Sequence, residues 1–379
     1  MRAVVVGGGP GGLFFSYLWK KRHPESEVLL FEQNAADVTW GFGVVFSDRA
    51  LDFLRADHPE VVDFLSGRME HWRNLALTVR GQRIEIDGVG FSAIGRLDLL
   101  RLLQGIARDA GVKISFDTPV QSINGLADAD VVVGADGLNS LVRRSFEKEF
   151  ETSLDHSNNK FAWFGTTRPF ETLTQTFVQT DRGTFNAHHY RYSSQMSTFL
   201  VECDPATWQR YDFASKTAEE TQRICEGVFA ETLQGHPLVS NNSVWRQFPW
   251  LWNKRWHHGN MVLIGDALHT AHFSIGSGTR LAMEDAIALG KALETENNVQ
   301  HAFARYQSMR QPIVQALVTA SRTSADWYER FPLHMQLDPI DFAYSYITRS
   351  GRIDDEKLRE MSPEFMKRRD GARLMERSQ

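Results

Sequence analysis

Three short stretches, far apart in the chain, carry residue types that can hold a phosphate or a sugar hydroxyl. Gly7, Gly9 and Gly12 fit G-x-G-x-x-G, with Gly8, Pro10 and Gly11 between them. That spacing permits a tight turn and lets the backbone approach a pyrophosphate. It also leaves the first amides of the following helix, at the positive end of its dipole, free for an anion. Glu32 ends a second apolar run twenty residues past Gly12. A carboxylate there can accept hydrogen bonds from ribose hydroxyls, which favours adenosine without a 2′-phosphate. Asp136-Gly137 and Gly265-Asp266 repeat the pairing of acid and glycine, each after its own apolar run. One nucleotide could use the first stretch alone; three in this order point to a longer dinucleotide.

The elements that must position these residues are readable around them. Val4 to Val6, Val28 to Phe31, Val131 to Val133 and Met261 to Ile264 read as buried parallel strands, so the turns after them should share the carboxyl edge of one sheet, where α/β folds bind ligands. Gly41 and Gly43 punctuate the apolar loop from Trp40 to Asp48 and allow close backbone approach; the loop either lies over a flat ring or is only a turn. A helical pattern follows from Arg49 to Leu54. Leu75 to Ile86 alternates like a hairpin turning at Arg80-Gly81-Gln82, and Ile94 to Leu103 has helical spacing. Arg96 falls in the first turn of that helix, where a cation is disfavoured unless it faces an anion; a nucleotide phosphate would satisfy it, and an exposed surface arginine is the other reading. Val112 to Phe116 reads as a further strand. Short strands at 161–165, 175–179, 184–192 and 198–202 predict an antiparallel sheet inserted into the nucleotide fold. Helices are expected over 219–233, 281–293 and 302–328, the last broken or bent near Pro312, and the charge-rich tail beyond Arg352 is expected to fray or lie on the surface.

Composition narrows the class. With 379 residues, 42% hydrophobic and 23% charged, the chain is an ordinary globular protein with room for two domains. A net charge of -5 gives no support for nucleic-acid binding, and no apolar run is long enough to span a bilayer. The first strand begins almost at the initiator, so no removable leader is expected. Cys203 and Cys225 have neither disulfide-framework nor zinc spacing, so no metal is expected and the cytoplasm is the expected compartment.

In order, G-x-G-x-x-G, then Gly134-Ala135-Asp136-Gly137, then Gly265-Asp266-Ala267 with Gly276-Ser277-Gly278 and Glu284-Asp285 downstream, the chain resembles the FAD-dependent aromatic hydroxylases of the para-hydroxybenzoate hydroxylase type. Gly43 to Asp48, Ile94-Gly95-Arg96, Phe161 to Gly165, Met196 to Glu202 and His269 to Thr279 resemble salicylyl-CoA 5-hydroxylases and the hydroxylase half of 2-aminobenzoyl-CoA monooxygenase/reductase. The likeness reaches Phe342 to Ser345 and Thr348-Arg349-Ser350; the same segments are similar, less closely, to the violacein-pathway tryptophan-side-chain hydroxylase. Two positions depart from the wider class: Phe273 stands where proline is usual beside the flavin, and Arg280 where asparagine is usual. A chain of this length is expected to be a plain hydroxylase without an attached reductase-like half.

The resemblance implies an α/β fold: a Rossmann-like FAD-binding domain (1–74, 94–158, 257–300), an inserted antiparallel-sheet substrate domain (75–93, 159–256) and a C-terminal helical region (301–379). It implies that NAD(P)H reduces FAD, that oxygen adds to the flavin as a C4a-hydroperoxide, and that an electron-rich ring is hydroxylated, with salicylyl-CoA to gentisyl-CoA the expected case. A free aromatic acid or an indole metabolite is the alternative substrate, and a non-oxygenating FAD oxidoreductase the alternative activity; a halogenase is disfavoured because Asn253-Lys254 follows Trp250-Leu251-Trp252. For the cofactor it implies Gly7, Gly9, Pro10, Gly11 and Gly12 at the pyrophosphate, Glu32 and Gln33 at the adenosine, and Arg96 and Asp266 at phosphate or ribityl. Asp136 and Gly137 are expected at FAD and nicotinamide, and Val45, Gly265, Gly276, Ser277 and Gly278 near the flavin. Deprotonating a phenol calls for a neutral base. Of the histidines near the expected pocket, one of the pair His188 and His189 can face it on a strand, and His188 and His272 are the candidates.

Overall fold

The structure is a computed structural model that describes residues 1–47, 54–55 and 58–376. The expected helix from Arg49 to Leu54 lies, apart from Leu54, outside the described residues. The chain forms two compact units: residues 1–39, 97–156 and 249–319 make the first, and 40–96, 157–248 and 320–379 the second.

The first unit is built on a six-stranded sheet in the order His257–His258, Met261–Leu263, Val131–Gly134, Arg2–Val6, Glu27–Phe31, Lys113–Ser115. Apart from the antiparallel edge pair of His257–His258 with Met261–Leu263, every pairing is parallel. Ala3 to Val6 are buried, as a central parallel strand covered on both faces requires. Strand order reverses at Arg2–Val6, so the glycine turn that follows it stands at the switch point of the sheet. Helices Pro10–Arg22 and Gly278–Thr295 belong to this unit, and Gly11 lets their backbones approach: a Cβ there would lie 3.2 Å from the Ala282 carbonyl oxygen.

The second unit holds an eight-stranded sheet whose main path runs Leu238–Ser240, Thr152–Thr166, Ser197–Cys203, Gly183–Arg191, Leu173–Thr180, Leu75–Val79, Gln82–Ile86. The pairings are antiparallel except Leu173–Thr180 with Leu75–Val79, which run parallel. Arg80 and Gly81 both take positive φ, the geometry a two-residue hairpin demands. Period-two alternation splits the sheet's side chains. Phe185, Ala187, Phe199 and Val201 pack with Cys225, Phe229 and Leu233. On the other face, Leu173, Phe177 and Tyr190 pack with Trp327, Phe342 and Tyr346. A three-stranded sheet of Gly43–Ser47, Phe91–Gly95 and Glu70–Trp72 completes the unit.

Two helical expectations change and a third narrows. The helix over 219–233 divides into Ala218–Val228 and Ala230–Leu233 at Phe229, whose ring is buried in the core. Of the two alternatives at Pro312, the break is excluded, because one helix runs from Val299 to Glu329. The tail from Arg352 to Glu376 does not fray: Asp355–Met361 and Pro363–Glu376 are helices, and Leu358, Phe365 and Met366 join the core. Asp87 fixes the second of these helices by accepting from the Phe365 amide at 2.8 Å, and the Ser362 hydroxyl donates to the Asp87 carbonyl at 2.6 Å. Charge density in the sequence concealed an apolar residue per turn that was enough to seat both helices.

Candidate active site

The nucleotide rim of the first unit forms where three neighbouring parallel strands end. Gly7 closes the central one at φ +106, and a Cβ on it would lie 2.3 Å from the Ala135 carbonyl oxygen, so the first glycine turn and the Asp136 turn are in backbone contact. Gly12 is equally confined, since its Cβ would meet the Gly7 carbonyl at 2.1 Å. Gly9, by contrast, has nothing within 4 Å of that position. Its carbonyl accepts the first helical bond, from Leu13 at 3.0 Å, so the Gly11 and Gly12 amides lie ahead of the helical ladder. Glu32 reaches across from the next strand: its carboxylate accepts from the Gly8 amide at 2.6 Å and from the Asn34 amide at 2.8 Å.

The Asp136 carboxylate accepts from the Leu141 amide at 2.6 Å through Oδ2, while Oδ1 is buried with no partner among the described residues. Burial pushes its pKa up. Arg143, held on the short helix that Ser140 caps, donates to the carbonyls of Leu138 at 2.6 Å and Ala267 at 3.2 Å, tying the second turn to the third. The third turn, Gly265–Ala267, is held from below by Asp285, which is wholly buried. Asp285 accepts from the Gly265 amide at 3.1 Å, from His269 Nε2 at 2.8 Å and from Arg310 Nε at 2.9 Å. Arg310 also pairs with Glu284 at 2.5 Å, and Arg280 with Glu284 at 2.7 Å. Burial alone would raise the Asp285 pKa, but His269 and Arg310 outweigh it and hold it below the usual carboxylate range. Gly276, at φ +58, turns the chain into Ser277 and Gly278 at the N-terminus of helix Gly278–Thr295.

In the second unit, the sheet face that carries Tyr190 also carries polar side chains. His188 lies opposite Gln175 on one neighbouring strand and Leu200 on the other. His188 Nε2 and both amide atoms of Gln175 are buried with no partner among the described residues, as are Asn186 Oδ1 and the indole nitrogen of Trp163. Burial and the positive charge of Arg349 push the His188 pKa down to about 3, so the imidazole is neutral. Glu202, opposite Asn186, accepts from Asn159 at 2.8 Å. Burial drives its pKa up to about 7, against the lowering effect of that hydrogen bond. At one end of this face the Tyr190 hydroxyl donates to the Gly43 carbonyl at 2.9 Å and the Gly43 amide to Thr198 Oγ1 at 2.9 Å. His189, on the opposite face, is spent on the core: its Nε2 meets Thr176 Oγ1 at 2.9 Å and its ring stacks on Phe199.

Residues 1–321 match the family model of the FAD binding domain. The chain belongs to the FAD-dependent aromatic hydroxylases. It is 40% identical over 98% of its length to salicyloyl-CoA 5-hydroxylase of Streptomyces sp, covering 74% of that protein. It is 34% identical over 88% of its length to 3-hydroxy-4-methyl-anthranilyl-[aryl-carrier protein] 5-monooxygenase of Streptosporangium sibiricum, covering 90% of it. Among solved structures it superposes on 2-methyl-3-hydroxypyridine-5-carboxylic acid oxygenase with a TM-score of 0.70, at 18% identity and 95% coverage of both chains, a likeness of fold.

This hydroxylase therefore carries FAD, uses NAD(P)H as reductant, and acts on an aromatic substrate with oxygen. The rim fits that cofactor: the glycine positions leave no room for side chains where the turns touch, Gly9 is open, and Asp136 Oδ1 is a buried acceptor awaiting a donor. The structure gathers Gly7, Gly9, Pro10, Gly11, Gly12, Glu32, Asp136, Gly137, Gly265, Asp266, Gly276, Ser277 and Gly278 in the first unit, with Gln33 exposed beside Glu32. Val45, Arg96 and His188 lie in the second. The Val45 side chain is absorbed in the core, and its strand position is paired with Ala93. Arg96 opens helix Arg96–Asp109, its amide donating to the Phe42 carbonyl at 2.8 Å. His272 caps a single helical turn: its Nδ1 accepts from the Ser274 amide at 3.3 Å, and its ring stacks with Trp250. The sequence reading missed Gln175, Asn186, Arg310 and the part played by Asp285. Asn186 stands between Thr184 and His188 on its face and carried no signal. Gln175 is the period-two neighbour of Leu173 and Phe177, a polar break in a buried strand that could have flagged it. Arg310, a cation on the buried stripe of a long helix, is the same kind of signal. Among the described residues no helix is long and apolar enough to cross a membrane.

Proposed function

We propose that this hydroxylase acts on an aromatic acyl group carried as a coenzyme A thioester, with salicyloyl-CoA as the representative substrate and the position para to its hydroxyl, giving a gentisyl thioester, as the site of attack. The observation that carries the reading is the 40% identity to salicyloyl-CoA 5-hydroxylase along 98% of the chain. The names of both relatives denote benzoyl groups with a hydroxyl or amino group at the ortho carbon, one carried on coenzyme A and one on a carrier protein. Such a group raises electron density at the carbon para to itself, which is the 5-position.

Bound FAD, once reduced, supplies the activation of oxygen; everything else falls to the chain. The amides of Gly9, Gly11 and Gly12 would hold the pyrophosphate at a helix N-terminus, and Glu32 the adenosine ribose. Asp136 Oδ1 would accept from a cofactor hydroxyl, and the amides at Gly276 to Gly278 would stabilise negative charge on the reduced ring. His188 would hydrogen-bond the substrate's ring oxygen. Because its charged form is suppressed to about pH 3, it does so as a neutral imidazole at any working pH. Arg349, the cation that bears on His188, would favour the anionic form of that oxygen.

The test is turnover by the purified yellow protein. NAD(P)H oxidation is followed with salicyloyl-CoA, 2-aminobenzoyl-CoA, the free acids and indoles, and each product is weighed by mass spectrometry. Hydroxylated thioester is expected; turnover confined to free acids or indoles would overturn the thioester reading.

A further inference from the structure

A row of side chains crosses the Tyr190 face of the large sheet at one level: Leu77, Gln175, His188, Leu200 and Trp163, each opposite the next in register. Its flanks are apolar and its centre is polar. Gln175 is 0% exposed, and neither its amide nitrogen nor its amide oxygen has a partner among the described residues. The neighbour on one side, Leu77, is hydrocarbon; the neighbour on the other, His188, leaves its own Nε2 unbonded. A primary amide wholly removed from water with both ends unsatisfied is an arrangement that folding disfavours and that proteins retain chiefly where a ligand completes it. Two of its properties describe that ligand. The amide presents a donor and an acceptor side by side in one plane, and with Leu77 across the strand pair and Leu173 and Phe177 on its own strand it has apolar neighbours that suit the face of a ring.

We propose that Gln175 is the specificity-determining residue of the substrate site, its amide N–H donating to the carbonyl oxygen of the aromatic acyl group and its Oε1 accepting from a hydroxyl or amino hydrogen on the ortho carbon. This rests on the aromatic acyl reading above and deepens it. An ortho-substituted aroyl group offers an acceptor and a donor about as far apart as the two ends of one amide. A ring without the ortho donor leaves Oε1 buried and unpaired, a penalty of the kind that rejects close analogues. The single hydrogen of that hydroxyl goes to Oε1, so His188, across the strand pair, meets the same oxygen through a ring N–H, and Gln175 is the one primary amide in this row.

The experiment measures binding rather than turnover. Dissociation constants of the coenzyme A thioesters of 2-hydroxybenzoate and 2-methoxybenzoate are read from the absorbance change of the oxidised flavin in the intact holoenzyme. The methoxy ring keeps its acceptor but has lost its donor. Wild type is expected to prefer the 2-hydroxy ligand by roughly 10- to 100-fold. Gln175→Leu should reduce that preference to within about threefold. Equal binding of the two ligands by wild type overturns the proposal without any variant, and so does an undiminished preference in a Gln175→Leu protein with normal flavin colour. If wild type binds the free acids and no thioester, the thioester reading has failed. The same comparison made with 2-hydroxybenzoate and 2-methoxybenzoate then decides Gln175 by itself.

Discussion

Glu202 should make this protein's stability fall as the solution becomes neutral. Its carboxyl is 2% exposed, Asn159 satisfies Oε1, and Oε2 has no partner among the described residues. Burial raises its pKa from 4.5 to about 7, with Glu329 adding to the rise. Between those values the folded chain holds a proton that the unfolded chain has released, so unfolding is favoured progressively as pH climbs from about 4.5 to about 7. At about 1.4 kcal/mol per pH unit the interval is worth about 3 kcal/mol, present below pH 4.5 and lost above pH 7. Glu202→Gln copies the protonated acid in shape and keeps an oxygen for Asn159 to donate to, while its new N–H₂ can serve Asn186 or Asn159 Oδ1, both unpartnered in the parent. Urea midpoints of holoenzyme and variant at saturating FAD, taken from about pH 5 to about pH 8, isolate the effect, because every other titrating group is common to both. The two proteins should be matched near pH 5, with the variant ahead by up to about 3 kcal/mol near pH 8. A difference that stays constant across that range would refute the reasoning, since it would mean that the buried carboxyl ionises as freely as an exposed one.

Other substitutions test the rim and the face. Gly12→Ala would force a Cβ to 2.1 Å from the Gly7 carbonyl, backbone against side chain with no slack, so the purified protein should be colourless or release FAD on dilution, which absorbance reads directly. Asp285→Asn would leave Arg310 buried beside Glu284 alone and loosen the Gly265 amide; unfolding in urea should show a loss of about 3–5 kcal/mol, with weaker FAD retention. His188→Gln should lower kcat with FAD content unchanged. The wild-type and variant pH–rate profiles should keep the same shape between about pH 5.5 and pH 8, because His188 takes up a proton only near pH 3.

The nucleotide fold was legible because its signals are local. A β-branched strand, a glycine turn and an acid after the next strand are each fixed by backbone sterics within a few residues, and those turns do share one sheet edge. Both histidine faces followed from the period of a strand, with His188 and His189 on opposite sides. What did not show was whatever depends on partners distant in sequence. Asp285 reads as half of a Glu-Asp pair on a helix, and only the fold brings Gly265, His269 and Arg310 to it. Gln175 reads as a polar residue in a short strand, and nothing local says that both neighbours across the sheet will leave its amide open. The C-terminal tail misled for a related reason: charge density averages over positions, whereas Leu358, Phe365 and Met366 recur on the side that is buried.

The two sites are stabilised in opposite ways, and the difference bears on what each can do. On the nucleotide rim the charges beneath the third turn are answered within the protein, with Asp285 taking three donors and Arg310 two carboxylates, so that turn is held in place while Asp136 Oδ1 stays open. The large sheet's polar face is left open. Gln175, His188 and Asn186 together bury four unsatisfied polar atoms, and each costs about 1–3 kcal/mol against an apolar residue of similar shape. Apolar replacements would therefore stabilise the sheet, and stability alone gives no reason to keep these residues. The rim can be rigid because every reaction uses the same cofactor. Under the proposal for Gln175 the face chooses among rings of nearly equal size, between which a pocket of hydrocarbon discriminates poorly. Unpaired buried amides choose well because the wrong ring leaves them unpaired, so under the proposal for Gln175 the selectivity of the site and the instability of this face have one physical origin.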